Sequence, residues 1–262
     1  MDYYKDKTIL ITGASSGIGE NFAHTLNKMG AKLILTARSK DKLEQMASSM
    51  NNAVSIPGDL SKKEFPEELY NKINDMKIKV DIVINNAGFG YSGKFLDNSM
   101  ENYNEMINLN ICSLTHLTHL FLKGMVENKS GGIINISSLA SFQPIPYFSI
   151  YAATKAFVTS FTLSLYEEYR EKNINILGVC PGYTKTNFNK RAQMNSIPVA
   201  GYLMSSQEVV EQSLKAYKKG KFIIINGKIN RFAKFFTSLI PKKWSLKMAS
   251  SIIKKGMSNK QW

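Results

Sequence analysis

Thr8-Ile-Leu-Ile-Thr-Gly-Ala-Ser-Ser-Gly-Ile-Gly19 is the stretch whose reading decides the fold. A short apolar run, Thr8 to Thr12, ends in a glycine-rich turn. An apolar-periodic helix from Ile18 to Met29 follows, with Gly30 as its C-cap. Each of the three glycines has a physical use. Gly13 permits the tight turn, Gly17 lets the backbone approach a pyrophosphate, and Gly19 lets the helix pack closely on the strand. Amides at the helix N-terminus, together with the macrodipole, favour an anion there. The spacing is Gly-x-x-x-Gly-x-Gly rather than the common Gly-x-Gly-x-x-Gly, and it also describes a plain helix start. Its place between a first strand and a first helix is what points to a dinucleotide.

Outward from that stretch the same alternation repeats. Strands are expected at Lys32–Thr36, Ala53–Ile56, Val80–Ile84, Gly132–Ile136, Asn173–Val179 and Lys221–Ile225. Helices are expected at Lys40–Met50, from about Lys62 to Met76, from about Met100 to Glu127, at Ser149–Lys172, and again after a loop from Pro181 to about Ser205. Apolar strands spaced by helices specify a parallel sheet covered on both faces. Right-handed crossovers make it an α/β fold of the Rossmann type, a doubly wound parallel sheet of seven strands. Ligands of such sheets bind beyond the C-terminal strand edge. There the chain places Asn85-Asn-Ala-Gly88, Ser138 and Pro181-Gly182.

At 262 residues the chain suffices for one large domain, with residues 1–227 read as the dinucleotide-binding and catalytic part and 228–262 as a basic amphipathic extension of it. Cys112 and Cys180 are far apart with no metal-ligand spacing, which suits a reducing cytoplasm, and no metal is expected. No secretory leader is read at the N-terminus and no transmembrane run elsewhere. The net charge is +14, and thirteen Lys/Arg with no acidic residue follow Glu211. Basicity therefore belongs to the C-terminal fifth, which argues against nucleic-acid binding by the domain as a whole.

Two constellations carry chemistry. Tyr151 and Lys155 lie four residues apart on one helix face, where a lysine charge favours phenolate and makes tyrosine a usable proton donor and acceptor. Such pairs are also common on solvated helices, and Ser138 thirteen residues upstream is what gives this one weight. At the end of strand 2, where NAD-specific sites place an acid, this chain has Thr36-Ala-Arg-Ser39. Arg38 suits a 2′-phosphate, with Ser39 as second donor, so NADP(H) is expected in preference to NAD(H). A plain surface arginine is the alternative.

Jointly these residues resemble the short-chain dehydrogenase/reductase family. The resemblance covers about residues 5–225 and rests on Thr12-Gly-Ala-Ser-Ser-Gly-Ile-Gly19, Asp59-Leu60, Asn85-Asn-Ala-Gly88, Asn110, Ser138, Tyr151-x-x-x-Lys155 and Pro181-Gly182-x-x-x-Thr186. It implies a nicotinamide-dependent oxidoreductase acting on a carbonyl or alcohol. Tyr151 would be general acid or base, Lys155 would lower its pKa and bond the nicotinamide ribose, and Ser138 would orient the carbonyl. Ser137 competes with Ser138, and the spacing to Tyr151 favours Ser138. Asn110 would hold a water on a proton relay. The cofactor would be bound by Gly13, Ser15, Ser16, Gly17, Ile18 and Gly19, by Arg38 and Ser39, by Asp59 and Leu60 at adenine, and by Asn86, Ala87 and Gly88 at the ribose. Pro181, Gly182, Thr184 and Thr186 would lie at the nicotinamide. A homodimer or homotetramer is implied as well.

Weaker features leave alternatives open. His116 and His119 read as surface or interface residues rather than metal ligands. Gln143–Phe148, Phe89, Tyr91, Tyr183, Phe188 and the loop to Met204 either line an apolar pocket under a lid or pack as ordinary loops. The segment from Lys228 onward alternates apolar residues with lysines. It suits a helical hairpin beside the substrate entrance or a subunit interface. It also suits peripheral contact with an anionic membrane, which would place the chain at the inner membrane surface, or contact with an acidic carrier protein. The expected activity is NADPH-dependent reduction of an apolar ketone, aldehyde or acyl substrate. A catalytically weak cofactor-binding scaffold is the alternative.

Overall fold

The computed structural model describes residues 3–186, 188, 192 and 203–256. Seven strands form the central sheet: β1 Thr8–Thr12, β2 Lys32–Thr36, β3 Ala53–Ser55, β4 Ile82–Asn85, β5 Gly131–Ile136, β6 Ile174–Cys180 and β9 Ile223–Ile225. Their order is β3-β2-β1-β4-β5-β6-β9, and every pair is parallel. The order reverses between β1 and β4, so the crevice lies beyond the C-terminal ends of these two strands. A small parallel pair not foreseen from the sequence, β7 Thr184–Lys185 with β8 Met204–Ser205, follows β6.

Why the strands read as unbroken apolar runs is visible in β1. Ile9 and Ile11 enter one core, with Phe22 and Leu26 of helix α1 (Gly17–Lys28). Leu10 between them enters the other core, with Leu69 and Ile73 of α3 (Phe65–Asp75). Successive side chains point to opposite faces, and both faces are covered. Helix α2 (Lys40–Ser48) adds Leu43 and Met46 to the first core, and α7 (Ser206–Lys218) adds Val209, Val210 and Leu214. Phe22 is fully buried, so Phe22→Ala would cost about 3–5 kcal/mol. Helix starts follow local chemistry: Ser205 and Glu208 form a reciprocal capping box on α7, and Pro66 sits in the first turn of α3.

The expected single helix from Met100 to Glu127 is continuous but not uniform. It runs as α4 (Met100–Ile107), a π-helical stretch Asn108–Ser113, and α5 (Leu114–Glu127). No proline or glycine marks that stretch. Tertiary hydrogen bonds hold it, from the Ser113 hydroxyl to the Leu60 carbonyl and from the Asn110 amide to Phe89.

Helix α6 (Ser149–Tyr169) ends in a 3-10 turn, Arg170–Lys172. The C-terminal segment forms α8 (Lys228–Leu239) and α9 (Lys242–Gly256), separated at Pro241. Ser245, Ala249 and Ile253 on one side of α9 are buried, whereas α8 buries no residue. No described helix is long and apolar enough to cross a membrane. Most of the expected lid, residues 187, 189–191 and 193–202, lies outside the described residues, as do 257–262 of the basic segment.

Candidate active site

The C-terminal strand edge gathers the expected residues. Ser138 follows β5 and starts a 3-10 turn, Leu139–Phe142, accepting the Ala140 N–H at 3.1 Å. Tyr151 sits in the first turn of α6, and Lys155 lies one turn on with its ammonium 5.8 Å from the Tyr151 ring centroid. Ser138, not its neighbour, meets the phenol by a side-chain hydrogen bond. Ser137 is buried and serves the scaffold: its hydroxyl donates to the Lys155 carbonyl at 2.9 Å and contacts the Thr159 hydroxyl at 2.7 Å.

Burial dominates the electrostatics of the phenol. Burial pushes Tyr151 up to about 12, and the Ser138 hydrogen bond only partly opposes it. Lys155 donates to the Ile136 carbonyl at 2.8 Å, and burial brings its own pKa down to about 8. Sequence reading passed over Cys180 as a group near this site. Its thiol is buried at the end of β6, is pushed up to about 11 by desolvation, and acts on both Tyr151 and Lys155. Nothing in the spacing of cysteines could have placed it there.

The Asn110 side-chain amide is a clamp between protein groups. It accepts the Phe89 N–H at 3.1 Å and donates to the Phe89 carbonyl at 2.9 Å and to Thr154 Oγ1 at 3.1 Å. Thr154 in turn donates to the Tyr151 carbonyl at 2.8 Å. Gly88 lies over this clamp, where a Cβ would sit 3.0 Å from Asn110 Oδ1 and 3.3 Å from Lys155 Nζ. Thr154 carried no sequence signal beyond its place between Tyr151 and Lys155. Thr12, quoted only as the start of the glycine motif, proves to be an anchor: its hydroxyl accepts the Asn86 and Ala87 N–H groups at 2.9 and 3.0 Å.

The residues present fit a dinucleotide. Gly13 has φ +64°, and a Cβ there would lie 2.9 Å from the Ala87 Cα. A Cβ at Gly19 would lie 2.3 Å from the Gly13 carbonyl oxygen. The loop is thus drawn down onto the sheet, and α1 begins at the crevice with no side-chain cap from Ser16 over its first amides. Ser15, Gly17 and Ile18 are half-buried and Ser16 exposed on that rim. Thr186 closes on the loop, with its Cγ2 3.0 Å from where a Gly17 Cβ would be. Thr184 bonds the Gly182 carbonyl at 3.0 Å, and the Pro181 carbonyl accepts the Leu139 N–H at 2.8 Å.

At the adenine end the side chains are differently engaged. Arg38 is half-exposed and meets Glu105 of α4 at 3.5 Å, while Ser39 precedes α2 without capping it. Asp59 Oδ1 accepts from the backbone N–H and the hydroxyl of Ser61, at 2.9 and 2.8 Å, so that oxygen caps a turn. Leu60 is buried beside it.

Aromatic rings wall the Tyr151 side. Phe148 lies 4.3 Å and Phe188 5.3 Å from the Tyr151 ring, centroid to centroid, and Phe89 lies 5.2 Å from Tyr91. Met204 does not join them. It is buried in the opposite core, with Val209 and Leu214. Tyr183 is half-buried. His116 faces Glu67 at 3.2 Å, His119 is exposed, and no group of His, Cys, Asp or Glu among the described residues is arranged to hold a metal.

Comparison with known proteins places this geometry. Residues 7–197 match the family model described as short chain dehydrogenase. The very-long-chain 3-oxoacyl-CoA reductase of Homo sapiens is 38% identical over 188 residues, 69% of this chain and 60% of the human one, so the chain spans less than two thirds of that relative's length. An uncharacterized oxidoreductase of Staphylococcus aureus is 33% identical over 228 residues, covering 86% of this chain and 97% of its own. Among solved structures, a short-chain dehydrogenase from Sphingobium yanoikuyae in complex with NADPH superposes with a TM-score of 0.80 and 29% identity, over 90% of this chain and 97% of that one. This chain belongs to the short-chain dehydrogenase family.

Proposed function

We propose that the chain is an NADPH-dependent carbonyl reductase acting on apolar ketones, aldehydes or 3-oxoacyl chains. The observation that carries this reading is the Ser138–Tyr151 hydrogen bond against an aromatic wall, with Lys155 buried behind it. A nicotinamide cofactor, when bound, supplies or accepts the hydride. The protein does the rest. Ser138 holds the substrate oxygen, and Tyr151, protonated at neutral pH, donates its proton to that oxygen in reduction and recovers it in the reverse direction. Lys155 supplies positive charge beside the phenol and bonds the nicotinamide ribose. Asn110 holds Phe89 and, through Thr154, the first turn of α6, and so keeps Tyr151 in place.

For the cofactor, the first amides of α1 with Ser15, Ser16 and Ile18 suit the pyrophosphate. Arg38 and Ser39 suit a 2′-phosphate, because both side chains open to the rim. Asp59 and Leu60 fall to adenine, Asn86, Ala87 and Gly88 to its ribose, and Pro181, Gly182, Thr184 and Thr186 to the carboxamide. A homodimer or homotetramer through the Met100–Glu127 helix and α6 is supported by the exposed Phe157, which stacks on Phe161 at 5.7 Å on α6. Free Cys112 and Cys180 accord with a cytoplasmic enzyme. The basic C-terminal helices offer a contact to an anionic surface.

The test follows NADPH absorbance against a panel of apolar ketones and 3-oxoacyl thioesters, with NADH in parallel. Tyr151→Phe should lose about 10²–10⁴-fold in turnover while still binding NADPH. Undiminished turnover in that variant would overturn the assignment. NADPH binding with no carbonyl turned over would favour the scaffold reading.

A further inference from the structure

Helix α8 is amphipathic in the wrong direction for a packed element. Asn230, Ala233, Lys234 and Thr237, spaced on one helical face, are its less exposed residues. Asn230 donates to the Asn226 carbonyl at 2.7 Å, and the Lys234 ammonium lies 5.5 Å from the Phe142 ring centroid. The apolar stripe is on the other side. Ile229, Phe232, Phe236 and Leu239 are 53%, 66%, 57% and 66% exposed, and the Phe232 and Phe236 rings lie tilted 5.7 Å apart, centroid to centroid. On α9 the outward side continues the pattern with Trp244, 66% exposed, and Met248, 54% exposed. An exposed apolar stripe of this extent needs an occupant.

Charge selects it. Helices α8 and α9 carry Lys or Arg throughout and no acidic residue. A second copy of the same face would set cation against cation with no acid to answer. An acidic protein would answer the lysines but not a row of aromatic rings lying between them. A bilayer with anionic headgroups answers both across one plane: rings enter the headgroup–acyl boundary and lysines stay among the phosphates. A tryptophan at such a boundary is also in its preferred place.

We propose that α8 and α9 form a docking surface for an anionic lipid membrane and set the substrate mouth beside it. The coupling is direct. Ser245 of α9 donates to Gln143 at 2.9 Å, and the Lys254 ammonium lies 5.2 Å from the Tyr147 ring centroid. That loop carries Phe148, which lies against Tyr151. A substrate dissolved in the bilayer thus reaches the aromatic wall without crossing bulk water. The position of the mouth rests on the reductase reading, whereas the lipid contact does not.

Flotation with vesicles tests it, using the full chain. Vesicles of phosphatidylcholine with about a third phosphatidylglycerol should carry the protein up, pure phosphatidylcholine vesicles far less, and added salt should weaken the association. Phe232→Ser with Phe236→Ser should reduce the bound fraction about tenfold or more while leaving turnover of a water-soluble ketone unchanged. Lys247→Glu with Lys255→Glu should reduce binding to the anionic vesicles alone. Failure to float, equal flotation with both lipids, or flotation indifferent to the phenylalanines would overturn the proposal. So would a self-associated species, or a complex with an acidic acyl carrier protein, that depends on those phenylalanines in a chain that ignores vesicles. Vesicle binding without carbonyl turnover would leave this proposal standing and remove the reductase reading; turnover without vesicle binding would do the reverse.

Discussion

Ser137 holds Lys155 by its backbone: the serine hydroxyl donates to the Lys155 carbonyl at 2.9 Å, from a buried position one residue before the serine that meets Tyr151. Neighbouring serines at a strand end therefore have opposite duties. Ser138→Ala should lower kcat about 10²–10³-fold with little change in melting temperature. Ser137→Ala should leave the chemistry largely intact but destabilise the fold by about 1–3 kcal/mol, because it leaves buried groups short of a partner. Parallel kinetics and thermal melts separate the two, and the reverse pattern would exchange their roles.

Lys155 makes stability depend on pH with a definite sign. Its folded pKa, about 8, lies below the ordinary lysine value of 10.5. Between those values the unfolded chain binds more protons, so this group adds stability as pH rises through the window and withdraws it as pH falls through about 8. Burying the charge costs on the order of 3 kcal/mol at neutral pH. The melting temperature of Lys155→Met, taken relative to the parent chain, should be most favourable near pH 7 and become less so toward the ordinary lysine pKa. A relative melting temperature independent of pH would show that the ammonium is solvated.

Arg38 is free to change partners. Its contact with Glu105 is long, at 3.5 Å, and half-exposed, so it is worth about 0–1 kcal/mol at most. Arg38→Asp should move the kcat/KM preference from NADPH toward NADH by about tenfold or more, chiefly through KM. Glu105→Gln should leave the preference in place. A preference unmoved by Arg38→Asp would assign the 2′-phosphate elsewhere.

Gly19 and Gly124 form a matched pair. A methyl at Gly19 would sit 2.3 Å from the Gly13 carbonyl and 2.5 Å from Asn86 Nδ2, and that amide is itself bonded to Thr12 and Gly13. Gly19→Ala should destabilise by about 1–3 kcal/mol in urea unfolding and weaken cofactor binding. Gly124 within α5 has open space at the same position, so Gly124→Ala should stabilise by about 0.5–1 kcal/mol. Equal effects at both sites would mean that the loop yields.

Local periodicity and turn chemistry are properties of neighbouring residues, and the amino-acid sequence alone determined whatever depends on them. It set the strands and helices to within a few residues, the parallel doubly wound sheet, the glycine loop before α1, and the Tyr151–Lys155 spacing. Tertiary structure decided what depends on distant partners. Asn110 sits in a π-helical stretch with its amide on Phe89 and Thr154, and no neighbour in the chain signals that. Tyr151 is driven up because burial, which spacing cannot measure, outweighs the Ser138 hydrogen bond. Met204 follows its sheet face rather than the loop it ends. Periodicity revealed the apolar stripe of α8, but a periodic pattern is the same whichever way the helix is turned. Only the packed fold, with Asn230 and Ala233 inward, shows that Phe232 and Phe236 face away from the protein.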